Sequence, residues 1–299
     1  MSTKRYILLG AAGFIAPRHM KAIQETGGEL VAVADPHDSV GIIDRYAPNV
    51  RYYRDEQRCM AEFEGKADTV VIATPNSTHF RLIYEALGHG YDVICEKPLV
   101  TQSQDIDFLK QREETTGKRV YAVLQLRHHR GILTLFERLS ACSHGDIVDI
   151  TYHTPRGSWY EQSWKGEAWR SGGLAMNIGI HFFDLCLWLF GGEGGMEMRC
   201  DIPTHGRVCG QFELERASVR YDLSIESDRP LKKLFSFNGR YIDLATGFED
   251  LHTEVYRAIL DGRGYGLDDA APAIALTERI HRMATAKAGV QPCVMEVIQ

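Results

Sequence analysis

Through the first 122 residues, short apolar runs take turns with amphipathic ones: RYILLG then a helix after Pro17, ELVAVAD then SVGIIDRYA, DTVVIAT then STHFRLIYEAL, DVICEKP then SQDIDFLKQREETTG, and finally KRVYAVL. Apolar runs without alternation predict strands buried on both faces, and the helices between them predict a parallel, doubly wound α/β sheet. Beyond residue 122 the pattern lengthens and alternates, in GDIVDITYHT, GRVCGQFELERASVRYDLSIES and KKLFSFNGRYIDLA. Such alternation suits an antiparallel sheet with one solvated or packed face. Helices are predicted over NIGIHFFDLCLWLFG (177–191, closed by glycines), DLHTEVYRAILDG and DDAAPAIALTERIHRMATAKA. The expected organisation is an α/β domain over 1–122 and an α+β domain over 123–299 with a largely antiparallel open sheet.

Composition narrows the class. At 299 residues, 44% hydrophobic and 25% charged, the chain has ample material for two cores. A net charge of −6 and a pI near 6.1 argue against bulk attraction to nucleic acid or anionic membrane, while leaving room for a local basic pocket. Seven cysteines (Cys59, Cys95, Cys142, Cys186, Cys200, Cys209, Cys293) form no C-x-x-C pair, which disfavours a structural zinc site and a disulfide framework. MSTKRYILLG is too short an apolar run for a signal peptide, and no uninterrupted stretch of about 18 apolar residues is seen. A cytoplasmic protein with no membrane partner is the expectation.

Candidate chemistry begins at GAAGFIAPRH, where Gly10 and Gly13 stand in a strand-to-helix turn and Pro17 suits the helix start. Glycines here let the backbone approach a pyrophosphate, met by amide N–H groups and the positive end of the helix dipole. The spacing is G-x-x-G-x-x-A, with Ala16 in place of a last glycine, so a plain glycine turn also fits. Asp35 ends ELVAVAD where a Rossmann-like sheet presents a carboxylate to the adenosine ribose, which would repel a 2′-phosphate and favour NAD over NADP. His37 and Arg45 lie nearby, and Asp35 before Pro36 equally suits a turn former.

Ligands of open α/β sheets sit outside the carboxyl ends of the strands, near the point where strand order reverses. Thr74, Pro75 and Asn76 end one strand at that edge, and VICEKP ends another, so Lys97 is expected to face a reaction site; a surface lysine at a strand end is the plainer alternative. In the second half, Asn177, His181 and Asp184 fall at i, i+4 and i+7 of a helix otherwise apolar all round. His181 is the candidate general base or acid and Asp184 can orient it, with a satisfied core histidine as the alternative. Arg156, Tyr160, Trp164 and Lys165, in RGSWYEQSWK, combine cations with aromatics able to bind a carboxylate or diphosphate and to stack a sugar or base; an exposed loop fits as well.

Taken together, the nucleotide turn, TPNSTH (74–79), EKP (96–98) and a later G-x-H-x-x-D resemble the glucose-fructose oxidoreductase/inositol dehydrogenase (Gfo/Idh/MocA) family over nearly the whole chain. The resemblance implies that EKP lies beside the nicotinamide, with Lys97 contacting the reacting hydroxyl and Glu96 and Pro98 positioning it, often through a cis proline. It implies a cofactor-binding set of Gly10, Ala12, Gly13, Phe14, Ile15, Asp35, Thr74, Pro75, Asn76, His79, Glu96, Lys97 and Gln125. Many sugar and inositol members carry an acidic residue where this chain has Asn177, which shifts the proton work toward His181 and Lys97. Longer segments, including GAAGFIAPRHMKAI, DSVGIID, ICEKPLV, LQLRHH, RGSWYEQSWKG, NIGIHFFD and GRGYGLDDA, resemble the bacterial UDP-N-acetylglucosaminuronate 3-dehydrogenases.

That closer resemblance implies NAD-dependent oxidation of the sugar's 3-hydroxyl to a 3-keto sugar nucleotide, an early step toward diacetamido-uronic acid sugars of O-antigen and other surface polysaccharides. Lys97, Arg127, His128, Arg156, Tyr160, Trp164, Lys165, Asn177 and His181 would bind the substrate, with Gln125 and His129 lining the same cleft. Some members regenerate bound NAD with 2-oxoglutarate, and family members assemble as homodimers or homotetramers. The competing expectations are a dehydrogenase of a free sugar or inositol, and an NAD-binding regulator without catalysis. A metal-dependent hydrolase is disfavoured, because His128 and His129 are adjacent and no ligand-spaced carboxylates accompany them; no metal is expected.

Overall fold

The structure, a computed structural model, describes residues 3–139, 145–192, 198–204, 206–244 and 246–287. Cys142 and Cys293 lie outside the described residues; Cys59, Cys95, Cys186, Cys200 and Cys209 are free thiols. The chain divides into two compact units, one of residues 1–128 with 248–271, the other of 129–247 with 272–299.

The first unit is built from β1 (Arg5–Leu9), α1 (Ala16–Glu25), β2 (Glu29–Ala34), β3 (Arg51–Tyr53), α2 (Glu56–Glu62), β4 (Thr69–Ile72), α3 (His79–Gly88), β5 (Asp92–Cys95), α4 (Asp105–Thr116) and β6 (Val120–Ala122). Its six strands are parallel in the order β3-β2-β1-β4-β5-β6. The strands carry no alternation because helices cover both faces: Ile7, Leu8 and Leu9, and Val70 through Ile72, are wholly buried. Pro17 sits in the first turn of α1, whose buried residues Ala16, His19, Met20, Ala22 and Ile23 form one helical face. The segment SVGIIDRYA, expected as a helix, forms only a short 3-10 turn at Gly41–Arg45, with Ile43 its one buried residue. A single anchor of that kind buries too little apolar surface to support a longer helix.

The second unit contains α5 (Arg130–Arg138), β7 (Asp146–His153), α6 (Trp159–Gln162), α7 (Ala168–Ser171), α8 (Ile180–Phe190), β8 (Arg199–Thr204), β9 (Arg207–Glu213), β10 (Ala217–Ser224), β11 (Lys232–Phe237) and β12 (Arg240–Ile242). The sheet order is β12-β11-β7-β10-β9-β8, antiparallel throughout except for the central parallel pair β7 and β10. Phe183 of α8 meets Phe212 and Tyr221 edge-on at 5.4 and 5.1 Å, fixing the helix against one sheet face. Residues 168–190 together form a helical run long and, on average, apolar enough to span a bilayer, although Arg170, Asn177, His181 and Asp184 interrupt it; 72% of its most apolar window is buried, as in the core helix of a sheet-covering layer.

The chain then forms α9 (Leu251–Leu260) and α10 (Leu267–Lys287, with Pro272 inside it). The change of pattern after residue 122 predicts one second domain over 123–299, yet residues 123–128 and 248–271 fold with the first unit. The reason is the apolar face of α9: Val255, Tyr256 and Ile259 join the buried cluster containing Met20, Ile23 and Val33, and α9 packs on α1. Each such side chain contributes about 1.5–3 kcal/mol on burial.

Candidate functional site

Because the first sheet is wholly parallel, the carboxyl ends of its strands share one edge, and strand order reverses between β1 and β4. Gly10 leaves β1 with φ +88, and a Cβ there would lie 2.6 Å from the Ala73 carbonyl oxygen, so only glycine allows this turn to pass the end of β4. Gly10 N donates to Ala34 O, and Gly13 N to Gly10 O, closing the turn on itself. The amides of Phe14 and Ile15 donate to no acceptor among the described residues, and they stand at the N-terminus of α1, whose first turn carries no acidic residue. Unfilled N–H groups at the positive end of a ten-residue helix fit a pyrophosphate. Phe14 is 87% exposed beside them.

Asp35, buried at the end of β2, accepts from Ala12 N through Oδ2 and from His37 N through Oδ1, both at 2.9 Å. It therefore braces the glycine turn while each oxygen keeps a second lone pair for a ribose hydroxyl. At the end of β4, Thr78 Oγ1 bonds Pro75 O at 2.8 Å and Thr74 Oγ1 at 2.7 Å, and Asn76 is buried. His79 stands between two turns, with Nδ1 2.7 Å from Pro98 O and Nε2 2.9 Å from Thr74 O. Burial lowers its pKa and the two carbonyls offset this only in part, so the ring is neutral near pH 7 and donates to one carbonyl at a time.

At the end of β5, Glu96 is buried, Lys97 is half-buried, and the Lys97–Pro98 peptide is cis. After β6, Gln125 is buried and its Oε1 has no partner among the described residues, a second feature that fits a cofactor at this edge. Arg127 is held within its own unit: Nη2 donates to Asp269 O at 3.0 Å and the guanidinium lies 4.5 Å from the Tyr265 ring. His128 is half-buried, its pKa lowered by burial. His129, expected to line a cleft, caps α5 instead, accepting from Gly131 N at 3.2 Å through Nδ1 while Nε2 bonds Thr246 O at 2.8 Å.

In the second unit, Arg156 and Lys165 both lie 5.9 Å from the Trp159 ring, and Lys165 also lies 5.7 Å from Trp164. Burial, then Arg156, lowers the Lys165 pKa. Two cations crowded onto aromatic faces make a ready anion site. Gly166 holds the loop tight, since a Cβ would lie 2.6 Å from Glu161 Cα. Buried Tyr160 accepts at its hydroxyl from Asn177 Nδ2 at 3.0 Å. Residues Ala175–Gly179 form a π turn ahead of α8, so Asn177 is shifted from the α-helical register that placed it with His181 and Asp184. His181 is half-buried and Asp184 buried. Trp159, beyond the expected set, is signalled only by lying inside the same aromatic-rich segment, and no local pattern marks His19 or His252.

Several known proteins resemble the chain. Among solved structures, the WlbA (WbpB) dehydrogenase of Thermus thermophilus in complex with NAD and UDP-GlcNAcA is 41% identical, with a TM-score of 0.88 covering 93% of this chain and 95% of that one. A second structure of it, with NAD and alpha-ketoglutarate, is 40% identical with a TM-score of 0.89, covering 99% and 98%. Among curated proteins, an uncharacterised oxidoreductase of Streptococcus pneumoniae is 29% identical and 2,7-anhydro-N-acetylneuraminate hydratase of Mediterraneibacter gnavus 28%, over 63% and 64% of this chain. The matched part spans 50% of the length of each of these two. The family profile described as an oxidoreductase family with an NAD-binding Rossmann fold matches residues 4–124, and its C-terminal alpha/beta domain profile matches 137–213. With more than half of its residues matched, the chain belongs to the Gfo/Idh/MocA oxidoreductase family, and its first unit carries that family's NAD-binding Rossmann fold.

Proposed function

We propose that the protein oxidises the 3-hydroxyl of UDP-N-acetylglucosaminuronate with NAD, giving the 3-keto sugar nucleotide. The observation that carries this reading is the 40–41% identity, over nearly the whole chain, to a dehydrogenase whose structures hold NAD with UDP-GlcNAcA or alpha-ketoglutarate. Bound NAD supplies a hydride acceptor. His181 takes the proton of the 3-hydroxyl, and the Lys97 ammonium hydrogen-bonds the oxygen as negative charge develops on it. Arg156 and Lys165 meet the substrate's uronate or diphosphate, with Trp159 and Trp164 offering stacking faces. Asp35 selects NAD by accepting from the ribose hydroxyls. The same reading includes a cytoplasmic homo-oligomer, 2-oxoglutarate as hydride acceptor for recycling, and a product destined for transamination in surface-polysaccharide synthesis.

The test is incubation of purified protein with NAD and UDP-N-acetylglucosaminuronate, with and without 2-oxoglutarate. Accumulation of the keto sugar nucleotide or of NADH is expected; oxidation of a free sugar or inositol with none of the sugar nucleotide would overturn the assignment. A further expectation concerns Asp35→Ala. It should weaken NAD binding roughly tenfold or more, the scale of hydrogen bonds to a charged group, as measured by titration calorimetry. An unchanged affinity would reduce Asp35 to a brace for the Ala12 turn.

A further inference from the structure

A buried cluster outside every motif above holds the turn that ends β5. Glu96, 7% exposed, accepts through Oε1 from His252 Nε2 at 2.9 Å and from His19 Nε2 at 3.2 Å. The two imidazoles are fully buried, on α9 and α1, with ring planes at 89° and centroids 5.0 Å apart. Tyr256 completes the chain, its hydroxyl 3.0 Å from His19 Nδ1. The ligand-type atoms of His19, Glu96 and His252 lie within 4.8 Å of one another, a composition that also suits a metal ion. The geometry favours protons, because both N–H groups meet one carboxylate oxygen at hydrogen-bond length. Donors bound about 2.0–2.2 Å from a tetrahedral zinc stand roughly 3.3–3.6 Å from one another, farther apart than the 2.9 and 3.2 Å separating the two imidazole nitrogens from Glu96 Oε1.

The charge states agree with this arrangement. Burial pushes the Glu96 carboxyl up, but the hydrogen bonds from His19 and His252 outweigh it, and the group ends well below the usual carboxylate range. Burial lowers the His19 pKa, leaving that ring neutral, and pushes the Tyr256 hydroxyl far up, leaving it a donor. Cys95 on β5 and His79 on α3 also sense Glu96, and His79 in turn senses Lys97.

We propose that His19 and His252 are positioning residues: by clamping the Glu96 carboxylate from two helices, they fix the backbone from which Lys97 projects. This rests on the reading of Lys97 given under Proposed function. Replacing His252 by leucine removes one donor, whereas glutamine keeps an N–H near the position of Nε2. His252→Leu is expected to lower kcat roughly ten- to hundredfold, the scale of a displaced reacting group, with the KM for NAD nearly unchanged. A depressed carboxylate pKa contributes stability above the unfolded value that is lost as pH falls through the folded one. With a donor gone the Glu96 pKa rises, so the acid limb of the kcat profile should move to higher pH, and His252→Gln should restore both rate and limb.

The second measurement does not depend on the substrate. Crystal structures of wild type and His252→Leu with NAD should differ in the backbone of residues 96–98 and in the position of Lys97 Nζ. Superposable coordinates would overturn the inference even if the sugar nucleotide proved to be the wrong substrate. So would a wild-type rate and pH profile in His252→Leu, or one equivalent of tightly bound zinc in the purified protein. If His252→Leu does not fold, His252→Gln carries the test: kcat within about threefold of wild type supports the clamp, and a larger loss at unchanged NAD affinity overturns it.

Discussion

Lys97→Ala and His181→Ala are each expected to retain NAD binding and to lose turnover by roughly a hundredfold or more, the usual scale for a group that moves or stabilises a proton in the transition state. Retained binding follows from the first unit's geometry. The amides proposed to face the pyrophosphate come from Phe14 and Ile15, and the turn presenting them is closed by bonds among Gly10, Ala12, Gly13, Ala34 and Asp35. Loss of turnover follows from the proposed chemistry. Without the Lys97 ammonium the developing oxyanion loses a charged donor, and without His181 the hydroxyl proton loses its acceptor. Steady-state kcat with titration of NAD separates the two effects, and near-wild-type rates in both variants would eliminate the mechanism. Since both side chains are half-buried, the truncations should shift the unfolding temperature little.

Gly10→Ala should be the most damaging single substitution at the nucleotide edge. Its φ of +88 costs an L-residue about 1–2 kcal/mol. The new Cβ would also sit 2.6 Å from the Ala73 oxygen and 2.7 Å from the Ala73 carbonyl carbon, backbone atoms that cannot rotate away. Overpacking of this kind adds about 1–3 kcal/mol. The turn must shift, taking the Ala12–Asp35 bond and the free amides with it. Thermal unfolding with and without NAD is the measurement, and the expected result is a lower unfolding temperature with most of the NAD-induced stabilisation gone. A variant that NAD stabilises as well as it does wild type would mean that the turn does not bind the pyrophosphate.

Much of the fold was legible because parallel strands covered on both faces leave an unalternating apolar run, and five such runs stand in the first 122 residues. The short β3 was not among them: Arg51, Tyr52 and Tyr53 are exposed or half-buried at the sheet edge, with no apolar run to mark them. Alternation pointed to an antiparallel second sheet and could not distinguish the parallel pairing of β7 with β10, since a strand's period of two records which face is buried and is silent on the direction of its neighbour. The Asp35, Thr74 and Glu96 positions were visible as polar residues ending apolar strands. His129 was visible too, and its role as a helix cap depends on Thr246, more than a hundred positions away.

The sequence by itself determined the alternation of strands and helices, the glycine turn that must adopt a positive φ, and the motifs that carry the family resemblance, because each is a local property of neighbouring residues. Only the tertiary structure decided that α9 returns to the first unit and that His252 closes on Glu96, 156 residues earlier. An amphipathic helix records that it has an apolar face. Which sheet that face covers, and which buried carboxylate a lone histidine on it meets, depend on shape complementarity and on satisfying charge in a dry interior, and these come into being only when distant segments pack.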